Sequence, residues 1–246
     1  MKSKTKGWKP QKYEFELIDE QRKVYKLYKN YINKQKIQNS TVFENFPFFT
    51  GKLTFIKFLS LYEIYKKIKN LHGHIGEIGV YNGTTSIFFG KLLEIFEPHS
   101  LTLVHGFDWF KGNRPTRHDS DKQIKNGSKG NYKYLIDNIK MQKLDKRIKI
   151  HKIDLKKINE FFKKNENRAI YFKLVYFDCG IYDVVKPAIR NIWKRVVPGG
   201  IIIFDQLYHS LAPGETKAKN ELLSEYKSYK LDFSWMPTAY IVKEKK

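Results

Sequence analysis

The feature that most constrains this chain is an alternation. Five short apolar runs, at residues 74–79, 101–107, 148–153, 172–177 and 201–204, are separated by stretches whose apolar residues recur every three or four positions. Short apolar runs bounded by turn residues read as strands. The last of them, IIIF, is nearly all β-branched, as expected for a strand covered on both faces. The stretches 84–96, 132–141, 158–164 and 184–196 read as helices. Strands alternating with helices wind into a parallel sheet with helices on both sides. Pro198-Gly199-Gly200 reads as a turn. After the fifth strand, residues 213–229 read as a helix. Segments 231–235 and 239–243 then read as two strands joined through Met236-Pro237. With no helix between them, they predict an antiparallel edge. The expected fold is therefore α/β: a Rossmann-like, doubly wound, mostly parallel seven-stranded sheet with an antiparallel edge strand.

Ahead of the first strand the period is helical. Val24, Leu27, Tyr28, Tyr31 and Ile32 mark one helix within 13–38, and Phe55, Phe58, Leu59, Tyr62, Ile64 and Tyr65 mark another within 52–70. The link between them, STVFENFPFFTG, is aromatic. The expected organisation is a flexible basic tail over 1–12, an N-terminal helical lid or elaboration over 13–70, and a ligand-binding domain over 71–246. The aromatic helices are also candidates for a subunit contact in a homo-oligomer.

Charge narrows the partners. The net charge is +22, but seven arginines leave 40 lysines among the 47 basic residues. Arginine is the side chain that forks phosphates and reads guanine, and the lysines are scattered along the chain. This balance reads first as a solvated surface bias of composition, second as a basic surface that draws a small anionic substrate, and last as a nucleic-acid interface. One cysteine, Cys179, rules out an internal disulfide framework. No apolar run approaches the roughly 20 residues of a membrane span. Together with the lack of a secretory signal, these features point to the cytoplasm.

Ligands of such sheets bind beyond the carboxyl ends of the strands. Here each of those ends carries an acid: Glu77, Asp108, Asp154, Asp178 and Asp205. In HIGEIGVYNGTTS, Glu77 is followed by Gly79 and Gly83 and then by a helix. That spacing is not the G-x-G-x-x-G of a dinucleotide fold, and a pyrophosphate would want bare amides without an acid. A carboxylate at this turn suits a cationic ligand. Asp108 is placed to accept from ribose hydroxyls. Asp154 either accepts from an adenine amine or caps the helix after it. A nucleoside carrying a positively charged amino-acid tail meets all three acids, and S-adenosylmethionine is such a molecule.

The run Glu77–Ser86, the block Asp108-Trp109-Phe110-x-Gly112 and the stretch VYFDCGIYDVVKPAIRNIWKRVVPGGIIIFDQL resemble class I S-adenosylmethionine-dependent methyltransferases, and among these the macrocin O-methyltransferase-like family of sugar O-methyltransferases. The resemblance spans roughly residues 73–223. It implies a cofactor site made of Glu77, Gly79, Tyr81, Gly83, Thr85, Ser86, Asp108, Trp109, Asp154 and Asp178. It also implies a divalent ion, Mg2+ being the candidate, on Asp178, Asp205 and Gln206. Two departures weaken that ion site: Gly180 stands where the family often has an aspartate, and Gln206 replaces its last one. Asp178, Asp205 and His209 are the candidate catalytic residues, with Asp178 the first choice as base or ligand. Tyr182 is expected to pack near the site. The polar loop 111–130 reads as a lid rim, with His118, Asp119 and Asp121 as possible substrate contacts.

The leading expectation is O-methylation of a sugar hydroxyl, on a nucleotide-activated or phosphorylated sugar in polysaccharide or glycoconjugate synthesis. Two alternatives are an RNA methyltransferase using the basic surface and a catalytically silent cofactor-binding module.

Overall fold

The computed structural model describes residues 13–120, 125, 127–210, 212–231 and 234–244. The expected tail 1–12 and Asp121 lie outside the described residues.

Seven strands form one sheet: β1 (His74–Ile78), β2 (Val104–Asp108), β3 (Ile148–Lys152), β4 (Phe172–Phe177), β5 (Val196–Phe204), β6 (Ser228–Lys230) and β7 (Ala239–Val242). Their order across the sheet is β3-β2-β1-β4-β5-β7-β6. The first five pair in parallel, β7 runs against β5, and β6 pairs antiparallel to β7. The reversed strand thus sits one place in from the edge, and β6 forms the edge itself. Strand order reverses between β1 and β4, which opens a crevice at their carboxyl ends.

Nine α-helices surround the sheet among the described residues: α1 (Tyr13–Lys34), α2 (Asn39–Glu44), α3 (Phe46–Phe49), α4 (Lys52–Ile68), α5 (Thr84–Phe96), α6 (Tyr132–Met141), α7 (Ile158–Lys163), α8 (Tyr182–Ile192) and α9 (Pro213–Leu222). The period of two along β4 shows how the layers are sorted. Leu174 and Tyr176 point to a core shared with α4, α5 and α6 through Leu61, Ile64, Phe89, Leu93 and Leu135. Val175 and Phe177 point to the other core, shared with α7, α8 and α9 through Phe161, Val185, Ile189 and Ala218. Helix α4 therefore belongs to the sheet's own core, and the expected boundary at residue 71 cuts through one packed unit. Helices α2 and α3 occupy the aromatic link. Helix α1 reaches α4 through Tyr25 Oη and Thr54 Oγ1, 2.7 Å apart.

Three local expectations are corrected. Pro198-Gly199-Gly200 is not a turn but an excursion within β5. The register passes from Phe172–Val196 to Leu174–Ile201, and Gly199 takes a φ of +80° while its N–H donates to Lys243 O at 2.7 Å. The helix expected over 213–229 stops at Leu222, and Ser228–Lys230 become strand. Tyr229 stacks on its cross-strand partner Tyr240, with ring centroids 5.3 Å apart, so pairing to β7 outweighs helical spacing there. The strand expected over 231–235 falls partly outside the described residues, and β6 lies at Ser228–Lys230.

Candidate active site

The crevice at the β1/β4 switch point is lined by residues from the carboxyl ends of five strands. Gly79 and Tyr81 follow β1, Asp108 and Trp109 close β2, Asp154 follows β3, Asp178 follows β4, and Gln206 follows β5. Leu155, Ile181 and Val184 supply an apolar wall, and Arg114 and Lys156 bring positive charge.

The turn after β1 owes its glycines to packing as well as to ligand access. Gly79 has a φ of +89°, and a Cβ there would stand 2.4 Å from Asp178 O. Gly83, at φ +78°, N-caps α5, and a Cβ would meet Leu135 Cδ1 at 2.1 Å. Glu77 lies beneath the turn rather than in the crevice wall. It is 1% exposed, and its carboxylate accepts a short hydrogen bond from Ser86 Oγ. Burial pushes its carboxyl up to about 8, with Asp178 adding to the rise against the Ser86 hydrogen bond. Thr85 and Ser86 are buried in the first turn of α5 and do not face the crevice. Of the expected turn contacts, Gly79 and Tyr81 line the crevice, while Glu77, Gly83, Thr85 and Ser86 shape it from below.

Asp108 is largely committed to the backbone. Its Oδ2 accepts from the N–H groups of Val80 and Tyr81, both at 2.9 Å, and its Oδ1 accepts from Phe110 N at 2.7 Å. Of the roughly four lone-pair sites of a carboxylate, about one remains for a ribose hydroxyl. Asp154 caps a 3-10 turn by accepting from Lys156 N at 3.1 Å, and it also lines the crevice. The two roles weighed for it are compatible. Trp109 donates from Nε1 to Gly112 O at 2.9 Å, and the Arg114 guanidinium stacks 3.6 Å from its ring centroid.

The deepest polar cluster joins β4 and β5 to α4. Asp178 is part-buried on the crevice wall, while Asp205 is 4% exposed and accepts a short hydrogen bond from Tyr176 Oη. Lys57 Nζ donates to Asp178 Oδ2 at 2.9 Å and lies 3.7 Å from Asp205 Oδ1. Burial works against the Lys57 charge, but Asp178 and then Asp205 outweigh it and lift the ammonium above the ordinary lysine range. Burial, and then Asp178, push the Asp205 carboxyl up.

This geometry corrects the expected metal triad. The place between the two carboxylates is held by an ammonium. The third expected ligand, Gln206, lines the crevice and carries no charge. A resident Mg2+ on these two carboxylates would have to displace an ammonium that already contacts both, so the pair as built does not fit one. Among the described residues no group of three His, Cys, Asp or Glu side chains is arranged to hold an ion.

His209 is also corrected as a candidate base. It is 2% exposed, stands edge-on to Trp235 with ring centroids 6.3 Å apart, and is absent from the crevice wall. Burial pushes its imidazole down to about 4. The loop after β2 is anchored rather than free at its first half. Asp119 accepts from Tyr182 N at 2.8 Å and from Thr116 N at 2.7 Å, and the His118 ring packs against Tyr182 at 4.6 Å.

Lys57, Arg114, Lys156 and Glu215 were missed by sequence reasoning. A signal existed for Lys57: it lies on the helical stripe Leu53, Leu61, Ile64 and Ile68, all buried. Glu215 similarly falls on the buried side of α9, where it accepts from Gln206 N at 2.9 Å.

The pattern of a family described as "Methyltransferase domain" matches residues 77–207. In structure, the chain is similar to CalS11, described as a calicheamicin methyltransferase, with a TM-score of 0.82 and 21% identity over 91% of this chain and 92% of that one. An apo structure of CalS11, described as a TDP-rhamnose 3'-O-methyltransferase in calicheamicin biosynthesis, gives a TM-score of 0.73 at 22% identity, covering 90% and 93%. The O-methyltransferase NovP gives 0.64 at 15% identity, covering 76% and 79%. At these identities the likeness establishes a shared fold. No curated protein matches the chain in sequence.

Proposed function

The chain belongs to the methyltransferase-domain family, and from that premise we propose that it is an S-adenosylmethionine-dependent O-methyltransferase of a sugar hydroxyl. The proposed acceptor is a nucleotide-activated or phosphorylated sugar used in polysaccharide or glycoconjugate synthesis in the cytoplasm. A second copy of the chain is proposed to cover the aromatic face of α1–α3.

One observation carries the reading. Gly79, Asp108, Asp154 and Asp178, from four successive strand ends, converge on a single crevice. The residues fit the donor. Asp108 keeps an acceptor site for a ribose, Asp154 and the apolar wall suit an adenine, and Glu77 lies under the turn where a cationic amine would sit. The sugar acceptor is supported by the description of CalS11 as acting on TDP-rhamnose. Arg114 and Lys156 are the basic residues of the crevice suited to an anionic phosphate.

Bound S-adenosylmethionine supplies a methyl group on a sulfonium, which leaves as a thioether under in-line attack. The protein holds the acceptor oxygen about 3 Å from that carbon and removes its proton. Asp178 is the carboxylate on the crevice wall and takes the proton. Asp205, one strand over and buried, positions Asp178 through Lys57. Tyr81 and Trp109 line the crevice, and their rings limit water around the bound substrates.

Two measurements test the proposal. Calorimetry with S-adenosylhomocysteine should show binding. Incubation with a labelled methyl donor and a panel of nucleotide sugars and sugar phosphates should transfer label to a hydroxyl. Binding without transfer to any sugar would sink the acceptor assignment, and no binding would sink the whole.

A further inference from the structure

Lys57 comes from a helix outside the matched family region, yet it ends among the acids of β4 and β5. Its Nζ is 2.9 Å from Asp178 Oδ2, 3.7 Å from Asp205 Oδ1 and 5.2 Å from the Tyr176 ring centroid. Its side chain is 23% exposed, and those of its partners are 32% and 6%. Two carboxylates on adjacent strand ends repel one another and require a cation close by. Burying an ammonium is itself costly unless it is paired. Each side therefore supplies what the other lacks. Tyr176 Oη donates to Asp205, and Lys57 is the cation at the pair.

The geometry points to Lys57 as the built-in counter-cation of the Asp178–Asp205 pair, a positioning residue that makes methyl transfer independent of a divalent ion. The inference rests on the O-methyltransferase reading for the step it serves. Lys57 engages Oδ2 of Asp178 and holds the carboxylate on the crevice wall, where it takes the acceptor proton. The acceptor oxygen then bonds to the methyl carbon, the C–S pair returns to sulfur as a neutral thioether, and the proton passes from Asp178 to solvent.

The test compares the full chain with Lys57→Met, which keeps the aliphatic stem, and with Lys57→Ala. Mn2+ binding is followed by electron paramagnetic resonance, and turnover is measured in EDTA and in Mg2+. The expected wild-type result is no Mn2+ bound at Asp178 and undiminished turnover in EDTA. In both variants Mn2+ should bind roughly tenfold or more tightly than to wild type, because two carboxylates lose their cation. Adding Asp178→Asn should abolish that gain. Turnover of the variants should fall about 100-fold in kcat with little change in KM for the donor, and methylammonium or Mg2+ should restore part of it to Lys57→Ala. A wild-type Mn2+ site that Asp178→Asn removes would overturn the inference. So would wild-type turnover lost in EDTA and regained with Mg2+, or variants with unchanged Mn2+ affinity. Calorimetry with S-adenosylhomocysteine runs alongside: failure to bind it would sink the functional reading, while the Mn2+ comparison would still decide the role of Lys57.

Discussion

Asp178 is asked to do two things that compete. It must stay on the crevice wall, and it must share a cation with a buried neighbour. An amide in its place would keep the shape and an oxygen for Lys57 but could not accept a proton. Asp178→Asn should therefore lower kcat by about 100-fold or more while changing donor affinity little, because general-base catalysis contributes about that much. Steady-state kinetics with calorimetry of S-adenosylhomocysteine checks it, and a fully active variant would remove Asp178 from the chemistry. Asp178, Asp108, Asp154 and Gln206 could be read from the chain because each stands at the end of an apolar run, where strand geometry alone puts it at the crevice. Lys57 and Arg114 could not be read that way. One crosses from a helix 121 residues away in sequence from Asp178, and the other folds back over Trp109 from a loop. The helical stripe of α4 marks Lys57 as inward-facing, but no sequence spacing names the partner it meets. His209 misled because four residues beyond an acid does not fix direction, and its side chain turned inward.

Backbone conformation sets what the strand-to-helix turn tolerates. Gly79 combines a left-handed φ with close approach to the Asp178 carbonyl, at 2.4 Å for any added Cβ. A backbone oxygen cannot swing aside, so β1 and β4 would have to separate. Gly79→Ala should cost about 3 kcal/mol or more, a drop of about 6–12 °C in midpoint for a chain of this size. Thermal unfolding measures it, and a shift within about 2 °C would mean the turn is softer than its geometry. The regular elements were legible wherever one period held throughout: Thr84–Phe96, Tyr132–Met141 and Phe172–Phe177 fall where the pattern places them. The exceptions, in β5 and β6, arise where a cross-strand partner decides, and no local window contains that partner. The N-terminal helices show the converse. Leu27 of the α1 stripe and Phe43 and Phe48 of the aromatic link are plain in sequence, yet they are 65%, 76% and 63% exposed. A patch of that kind marks an interaction surface. With a second copy of the chain as the proposed partner, Phe43→Ser with Phe48→Ser should shift the sedimentation profile towards monomer. An unchanged profile would remove this face from self-association.

The molecule as a whole buries ionisable groups of opposite habit, and this shapes its response to pH. Glu77 is raised from 4.5 to about 8, chiefly by burial. A carboxyl raised on folding contributes stability that is full below its unfolded value and is lost as pH climbs through the folded one, here from about 4.5 to 8. Asp205 and Glu215 are raised in the same sense, first by burial and then by a neighbouring aspartate. The imidazoles lean the other way. Burial lowers His105 to about 3, with His151 adding to the effect, and lowers His151 and His209 to about 4. A histidine lowered on folding contributes stability that is full above about 6.5 and is lost as pH falls through the folded value. The two slopes oppose each other, so the ligand-free chain should be most stable near pH 6, with losses of a few kcal/mol towards pH 8 and towards pH 4. Midpoints measured across that range should trace a dome. Glu77→Gln should flatten its alkaline side. Replacing both His105 and His151, whose rings already stack on Phe107, with phenylalanine should flatten the acid side. A bound sulfonium nucleoside places its cationic amine by Glu77 in the proposed pose. The alkaline loss should then shrink when S-adenosylmethionine is present, and an alkaline limb unmoved by the donor would count against that placement of the amine.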